Sequence, residues 1–408
     1  MSEPTFENKG LKYIFKWAGY SLEAQVSRVR SDHEKTTCTI LFTSTHSEAH
    51  PHILRTKLNL ESARSRSEVA KEMTTRYKLK TPIDWKNLLE YISERTLQEF
   101  EKGEPLIHLS SSSDVKALEY LINPLAPLNK PTVIFGDPGA GKSLLCIVMS
   151  ILVALPWTDN PLRLTPPSTP TIGLFLDYEA DPDDAQRQLK SLVEGMELGH
   201  AELHYRRCSL PIVDDIEAIR NHIDSINAKY LFIDSTSLAA GGDLNKMDTA
   251  TTYFRALRQL STTTISLAHT SKDRENKHKS IIGSVLWEAG ARSIWECRAV
   301  EDDNTLDIAL FHRKANLSKK SKPLGYRVTY ENDLPTTIEW HDPTDVPEFV
   351  ERMGTNQRII NLLKSGYHTT QQIEDELEIT SVNCRVATKR LRDKGIIVKS
   401  GEEWGLVK

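Results

Sequence analysis

Hydrophobic and polar positions change rhythm along the chain. Up to about residue 105, apolar and polar residues alternate through Lys12–Trp17, Leu22–Arg30, Thr37–Thr43 and Ile53–Leu60, the period of strands that bury one face. Two stretches of helical spacing follow, Ser62–Tyr77 and Asp84–Glu101. The second sets Trp85, Leu88, Leu89, Ile92 and Leu97 on one side, just after Pro82. This segment, 1–105, predicts a small α+β domain with an antiparallel sheet. Gly103-Glu104-Pro105 and the serines 110–113 read as its boundary. Between 115 and 340 the texture is different. Short, mainly apolar runs at Thr132–Phe135, Ile172–Leu176, Tyr230–Ile233 and Thr264–Ala268 alternate with helical segments. Strands covered on both faces have this pattern, so an α/β domain around a mostly parallel sheet is expected. Pro161–Pro170 reads as a loop, Asp333–Pro347 as a second linker, and 354–408 as a third unit.

Composition narrows the classes. The chain has 408 residues, with 52 Lys and Arg against 56 Asp and Glu and a net charge of −4. Its 39% hydrophobic and 26% charged content is that of an ordinary globular protein. The longest apolar run, Leu144–Leu155, falls well short of the roughly 20 residues a membrane span needs. Glu3, Glu7, Lys9, Lys12 and Lys16 interrupt the start of the chain, so no secretory signal is expected there. Cys38, Cys146, Cys208, Cys297 and Cys384 are odd in number and widely spaced, unlike a disulfide framework or a CxxC metal site. A cytoplasmic location without membrane association is the expectation. Mild acidity also means that any nucleic acid must be bound by local basic surfaces.

The sharpest motif is Gly136-Asp137-Pro138-Gly139-Ala140-Gly141-Lys142-Ser143, with Leu144 following. It satisfies G-x-x-x-x-G-K-[ST] between an apolar strand and a helix, the context a P-loop requires. Its glycines let backbone N–H groups curl around phosphate oxygens, and the helix N-terminus adds its dipole. Lys142 is placed to meet the β- and γ-phosphates of ATP, and Ser143 to ligate Mg²⁺. The apolar strand Leu231–Ile233 ends in Asp234, where a carboxylate supports the metal. The strand Ile172–Leu176 runs into Asp177-Tyr178-Glu179. Either acid is of the type that orients the attacking water, and Glu179, nearer the strand's C-terminal edge, is the preferred base. The fourth strand runs into His269, placed to hydrogen-bond the γ-phosphate.

The order of P-loop, strand with Glu179, strand with Asp234 and strand with His269 resembles the RecA-like ATPases. It is most similar to the hexameric branch of RepA-type plasmid helicases and DnaB-type replicative helicases. Gly283-Ser284-Val285-Leu286-Trp287-Glu288-Ala289-Gly290-Ala291-Arg292 resembles the helix after the sensor strand. His312-Arg313-Lys314-Ala315-Asn316 resembles the late basic pair that reaches a neighbouring subunit's γ-phosphate. The resemblance implies that Arg313 or Lys314 acts in trans and that the protein works as a homo-oligomer, a hexamer favoured. It also implies single-strand binding by loops facing a central channel. Ser235–Thr249, with Gly241-Gly242 and Lys246, is one such segment. The other is Ser271–Ile282, whose Lys272, Arg274, Lys277 and Lys279 suit a phosphate backbone.

The third unit carries its own signal. Thr355–Ser365 reads as a helix; Thr369-Thr370 caps a short one with Ile373 and Leu377; Ser381 caps a third, Val382–Lys394, stopped by Gly395. Ile396-Ile397-Val398 and Trp404–Val407 flank Ser400-Gly401 as a hairpin. Three short helices and a hairpin resemble a winged helix-turn-helix. Asn383, Arg385, Thr388, Lys389 and Arg392 are expected to face outward and Val386 and Leu391 inward, giving a duplex DNA contact through Arg385, Lys389 and Arg392. The acidic Glu374-Asp375-Glu376 keeps protein docking open as another use of this unit. The combined expectation is a Mg²⁺-ATP-hydrolysing RecA-fold motor on DNA. Two alternatives stay open: an ATP-switched DNA-binding loader or regulator, and a signalling or scaffold ATPase.

Overall fold

A computed structural model describes residues 4–32, 34–44, 52–78, 82–103, 106–111, 114, 117–271, 280–351 and 353–407. The chain divides into two compact units, Met1–Lys116 and Ala117–Lys408.

In the first unit, alternation produces the strands it predicts: β1 (Thr5–Asn8), β2 (Lys12–Trp17), β3 (Leu22–Ser31), β4 (Thr36–Ser44) and β5 (His52–Asn59). They form one antiparallel sheet in sequence order. One face carries Phe15, Trp17, Val26, Ile40, Phe42 and Leu58, and α1 (Ala63–Arg76) and α2 (Trp85–Lys102) cover it. Ser62 and Asp84 cap these helices by accepting from the amides of Ser65 and Asn87. The small polar β1 carries no apolar alternation, which is why the pattern misses it. On α2, Leu97 is only half-buried while Ser93 and Thr96 lie inside.

The second unit opens with a short ribbon, β6 (Tyr120–Ile122) and β7 (Ala126–Pro127), then β8 (Pro131–Gly136) and α3 (Lys142–Ala154). Then come β9 (Gly173–Asp177), α4 (Pro182–Gly195), β10 (His204–Arg207), α5 (Ile212–Ile226) and β11 (Tyr230–Asp234). Next are α6 (Thr236–Ala240), α7 (Met247–Leu260), β12 (Thr263–His269), α8 (Leu286–Gly290) and β13 (Ser293–Asp302). Finally β14 (Thr305–Ala315), β15 (Leu324–Glu331) and β16 (Leu334–Trp340) complete a nine-stranded sheet of order β10-β9-β11-β12-β8-β13-β14-β15-β16. The strands from β10 to β13 are mutually parallel, and β14, β15 and β16 extend the sheet antiparallel. This parallel-rich α/β sheet is consistent with a RecA-like P-loop core. Helix α3 is apolar on nearly every side because it is buried from Leu144 to Val153 in the main core. Among the described residues no helix is long and apolar enough to cross a membrane.

Two expectations fail here. Asp333–Pro347 is not a linker throughout, because Leu334–Trp340 is β16, paired with β15 on the sheet's edge. Its Pro335 sits opposite Tyr330 at a register shift, a place where a missing N–H is tolerated. Ser235–Thr249 is likewise not one loop, since α6 and the start of α7 occupy most of it.

After α9 (Pro347–Val350) come α10 (Thr355–Leu362), β17 (His368–Thr369), α11 (Thr370–Leu377), α12 (Ser381–Asp393), β18 (Ile397–Ser400) and β19 (Glu403–Leu406). The strands pair antiparallel in the order β17-β19-β18. A separate core of Ile359, Ile373, Leu377, Cys384, Leu391, Ile397 and Trp404 joins them. Thr369 and Gln372 form a capping box at α11. The cap of α12 is Thr380, not Ser381, whose hydroxyl instead donates to Glu374. The inward face of α12 is also one step away from the expected one. Cys384, Ala387, Thr388 and Leu391 are buried, whereas Val386 is 45% exposed. Thr388 tolerates burial because its hydroxyl donates to Cys384 O at 2.8 Å.

Candidate active site

The phosphate loop takes its shape from the strand before it and the helix after it. β8 ends at Gly136, where a Cβ would lie 2.3 Å from the carbonyl oxygen of Cys297 on β13. Gly139 and Gly141 have φ of 77° and 74°, the left-handed region that glycine enters without strain. Lys142 opens α3, is 7% exposed, and donates to Gly136 O at 3.1 Å and Asp137 O at 2.8 Å. Burial holds its ammonium pKa below the ordinary lysine value, against the pull of nearby acids such as Asp234 and Glu179.

Strands β9, β11 and β12 deliver their C-terminal residues to the same place, because parallel strands end together. Ser143 Oγ donates to Asp234 Oδ2. Burial pushes the Asp234 carboxyl up to about 6, and the like charges of Asp177 and Glu179 add to this. Asp177 is spent on structure: it accepts from the amides of Glu179 and Ala180 at 2.8 and 2.9 Å and from the Tyr205 hydroxyl at 2.9 Å. Glu179 stands just beyond the strand and faces the loop. Its Oε1 accepts from Ser235 and lies 3.5 Å from His269 Nε2. Thr270 ties the end of β12 to the loop by donating to Asp137 Oδ1 at 2.5 Å.

Lys142, Ser143, Glu179, Asp234 and His269 line one cavity of about 360 Å³, together with Gln188, Leu306, Tyr330, Asp333, Leu334 and Pro335. A larger groove of about 880 Å³, lined by Tyr120, Arg220 and Lys229 among others, lies at the strands' N-terminal edge and holds none of the phosphate-site groups. The second wall of the 360 Å³ cavity was invisible in the sequence. Leu306 and Tyr330 arrive on the antiparallel strands β14 and β15, and no local motif marks them. Gln188 Oε1 is buried there without a hydrogen-bond partner among the described residues, an acceptor left open beside the cavity.

Other expected residues lie elsewhere. Arg313 forms an ion pair with Glu296, Nε to Oε2 at 2.6 Å, and its guanidinium covers the Phe311 ring. Lys314 caps α8 by donating to the carbonyls of Glu288 and Ala291 at 2.5 and 2.9 Å. Both stand where β14 pairs with the beginning of β13, toward the sheet edge away from their own phosphate loop. Arg385, Lys389 and Arg392 are exposed on α12. Lys272, Arg274, Lys277 and Lys279 lie outside the described residues; the chain on either side pairs antiparallel, Ser271 N donating to Ser280 O and Ile282 N to His269 O. Among the described residues no group of three or more His, Cys, Asp or Glu is poised around a metal.

Residues 104–275 match the family model described as an AAA domain. Over this stretch the chain is similar to AAA-type P-loop ATPase domains. No relative among curated proteins matches the chain. Among solved structures, a KaiC-like protein from the hyperthermophilic archaeon Pyrococcus horikoshii OT3 aligns at 18% identity and a TM-score of 0.37. The alignment covers 54% of this chain and 93% of that one, a likeness too distant to bear on function.

Proposed function

We propose that the protein is a Mg²⁺-dependent ATPase that works as a ring of copies, a hexamer favoured, and couples hydrolysis to movement or remodelling on DNA. The observation that carries the ATPase part is the convergence of Lys142, Ser143, Asp234, Glu179 and His269 on one cavity. The donor set fits Mg²⁺: a hydroxyl and a carboxylate in contact, both oxygen ligands, without a preformed cage. Ser143 and Asp234 would hold the ion, which would supply charge neutralisation at the phosphoryl oxygens. Lys142 exchanges the loop carbonyls for phosphate oxygens and neutralises charge there. Glu179, held by Ser235, accepts the proton of the attacking water. His269, beside Glu179, meets the γ-phosphate and, with Thr270, passes its presence to the chain that leaves toward Lys272. Leu306, Tyr330 and Pro335 give the nucleoside an apolar wall. The basic pair Arg313 and Lys314 completes a neighbour's site, after releasing Glu296 and the end of α8.

DNA contact rests on two basic stretches of sequence, Lys272–Lys279 and the α12 residues Arg385, Lys389 and Arg392, with the C-terminal unit acting as a winged helix. A second reading has its own support. Val382 and Val386, 70% and 45% exposed on α12, add an apolar patch among these cations and suit protein docking. The test is the ATPase rate with and without single-stranded DNA at several protein concentrations, plus strand displacement. Stimulation, cooperative concentration dependence and displacement support the motor. Stimulation without displacement favours a loader or switch, and indifference to DNA favours the docking reading.

A further inference from the structure

Beneath the phosphate loop lies a thiol that the chemistry above does not use. Cys297 stands in the middle of β13, in register with Gly136 at the end of β8. Its side chain is 1% exposed, turned toward the core that contains α3, and its Sγ donates to Ala140 O at 3.1 Å. The Ala140–Gly141 peptide is trans, so the amide N–H of Gly141 points opposite to that carbonyl. With the carbonyl drawn down to Cys297, the amide faces the cavity that Gly141 and Lys142 line. Such backbone amides are what a phosphate loop binds with. The seat below is tight. A Cβ on Gly136 would lie 2.3 Å from Cys297 O, and one on Gly141 2.6 Å from Ile308 Cδ1. The loop therefore rests directly on β13 and β14, and the thiol is a polar tie between them.

We infer that Cys297 is a positioning residue for phosphate binding: it fixes the Ala140–Gly141 peptide so that the amide is aimed before the ligand arrives. The inference rests on the nucleotide-binding reading of the cavity. Pre-ordering a donor saves its ordering free energy on binding. The tie bears on the phosphate end alone, so its loss affects ATP and inorganic triphosphate equally and leaves the nucleoside wall untouched.

The experiment compares the full-length chain with Cys297→Ala, which removes the donor, and Cys297→Ser, which keeps one. Each is titrated calorimetrically with ATP and with inorganic triphosphate at fixed Mg²⁺, and KM, kcat and the nucleotide-free melting temperature are measured. Cys297→Ala is expected to weaken both ligands by the same factor, about three- to tenfold for one hydrogen bond. KM should rise in step while kcat holds within about twofold, and Cys297→Ser should bind within about twofold of the wild type. A lowered melting temperature with unchanged affinity would assign Cys297 to packing and overturn the inference, as would equal weakening by Ser and Ala. If the wild type binds neither ligand, the nucleotide reading itself fails, a result distinct from either.

Discussion

Replacing Asp234 by Asn should stabilise the nucleotide-free protein while abolishing its metal-dependent chemistry. The carboxyl is 7% exposed, and burial raises its pKa from 3.8 to about 6. A folded-state pKa above the unfolded one means that the native protein holds the proton more tightly. The associated stability is fully present below about pH 4 and is lost as pH rises through about 6. A shift of about two units corresponds to about 3 kcal/mol at 1.36 kcal/mol per unit. The substituted amide carries no charge, and its oxygen can still accept from Ser143. At pH 7.5 the D234N variant should therefore unfold later by up to about 3 kcal/mol, or about 5 °C for a unit of this size. At pH 4, where the wild-type carboxyl is protonated, the gap should close. Urea or thermal unfolding of both proteins across this range, without nucleotide, reads the difference directly. Addition of Mg²⁺-ATP should then stabilise the wild type by mass action more than the variant. A variant no more stable than the wild type at pH 7.5, or a gap that does not change with pH, would refute the reasoning.

Other predictions follow from the same geometry. Glu179→Gln should lower kcat by about 10²–10⁴-fold with ATP affinity nearly unchanged, as single-turnover hydrolysis beside a binding titration would show; an unaltered kcat excludes Glu179 as the base. Gly136→Ala forces a Cβ onto Cys297 O and should destabilise by about 1–3 kcal/mol, visible in calorimetric unfolding. Changing Arg385, Lys389 and Arg392 together to Ala should reduce the salt slope of duplex DNA binding by up to about 2.7 units, at about 0.9 per phosphate contact. An unchanged slope removes α12 from the DNA path.

What the sequence discloses depends on whether chemistry is carried by neighbours in the chain. The phosphate loop is legible because one uninterrupted stretch, Gly136–Ser143, contains its glycines, cation and hydroxyl. Asp234 and His269 are legible because mainly apolar strands end at them, and parallel strands bring such ends together. Glu179 could be preferred over Asp177 from its place in the chain, but the reason is structural: Asp177 is consumed by two amides and a tyrosine hydroxyl. Leu306 and Tyr330 carry no local mark, since only the antiparallel addition of β14 and β15 puts them beside the loop. Asp333–Pro347 reads as a linker in part because proline interrupts most strands, and the edge position of Pro335 removes that objection. On α12 polarity alone predicts that Thr388 faces outward, yet it is buried. Its hydroxyl is satisfied within its own helix, and the buried face turns accordingly.

The central claim is that the curl from Gly136 to Ser143 binds the triphosphate of ATP. Calorimetric titration of Mg²⁺-ATP into the full-length chain and into Lys142→Ala tests it most directly. The account predicts saturable binding by the wild type and an affinity at least about tenfold lower once the buried ammonium is gone, in line with the strength of charge-assisted contacts. No binding by the wild type, or equal affinity in both proteins, would contradict it.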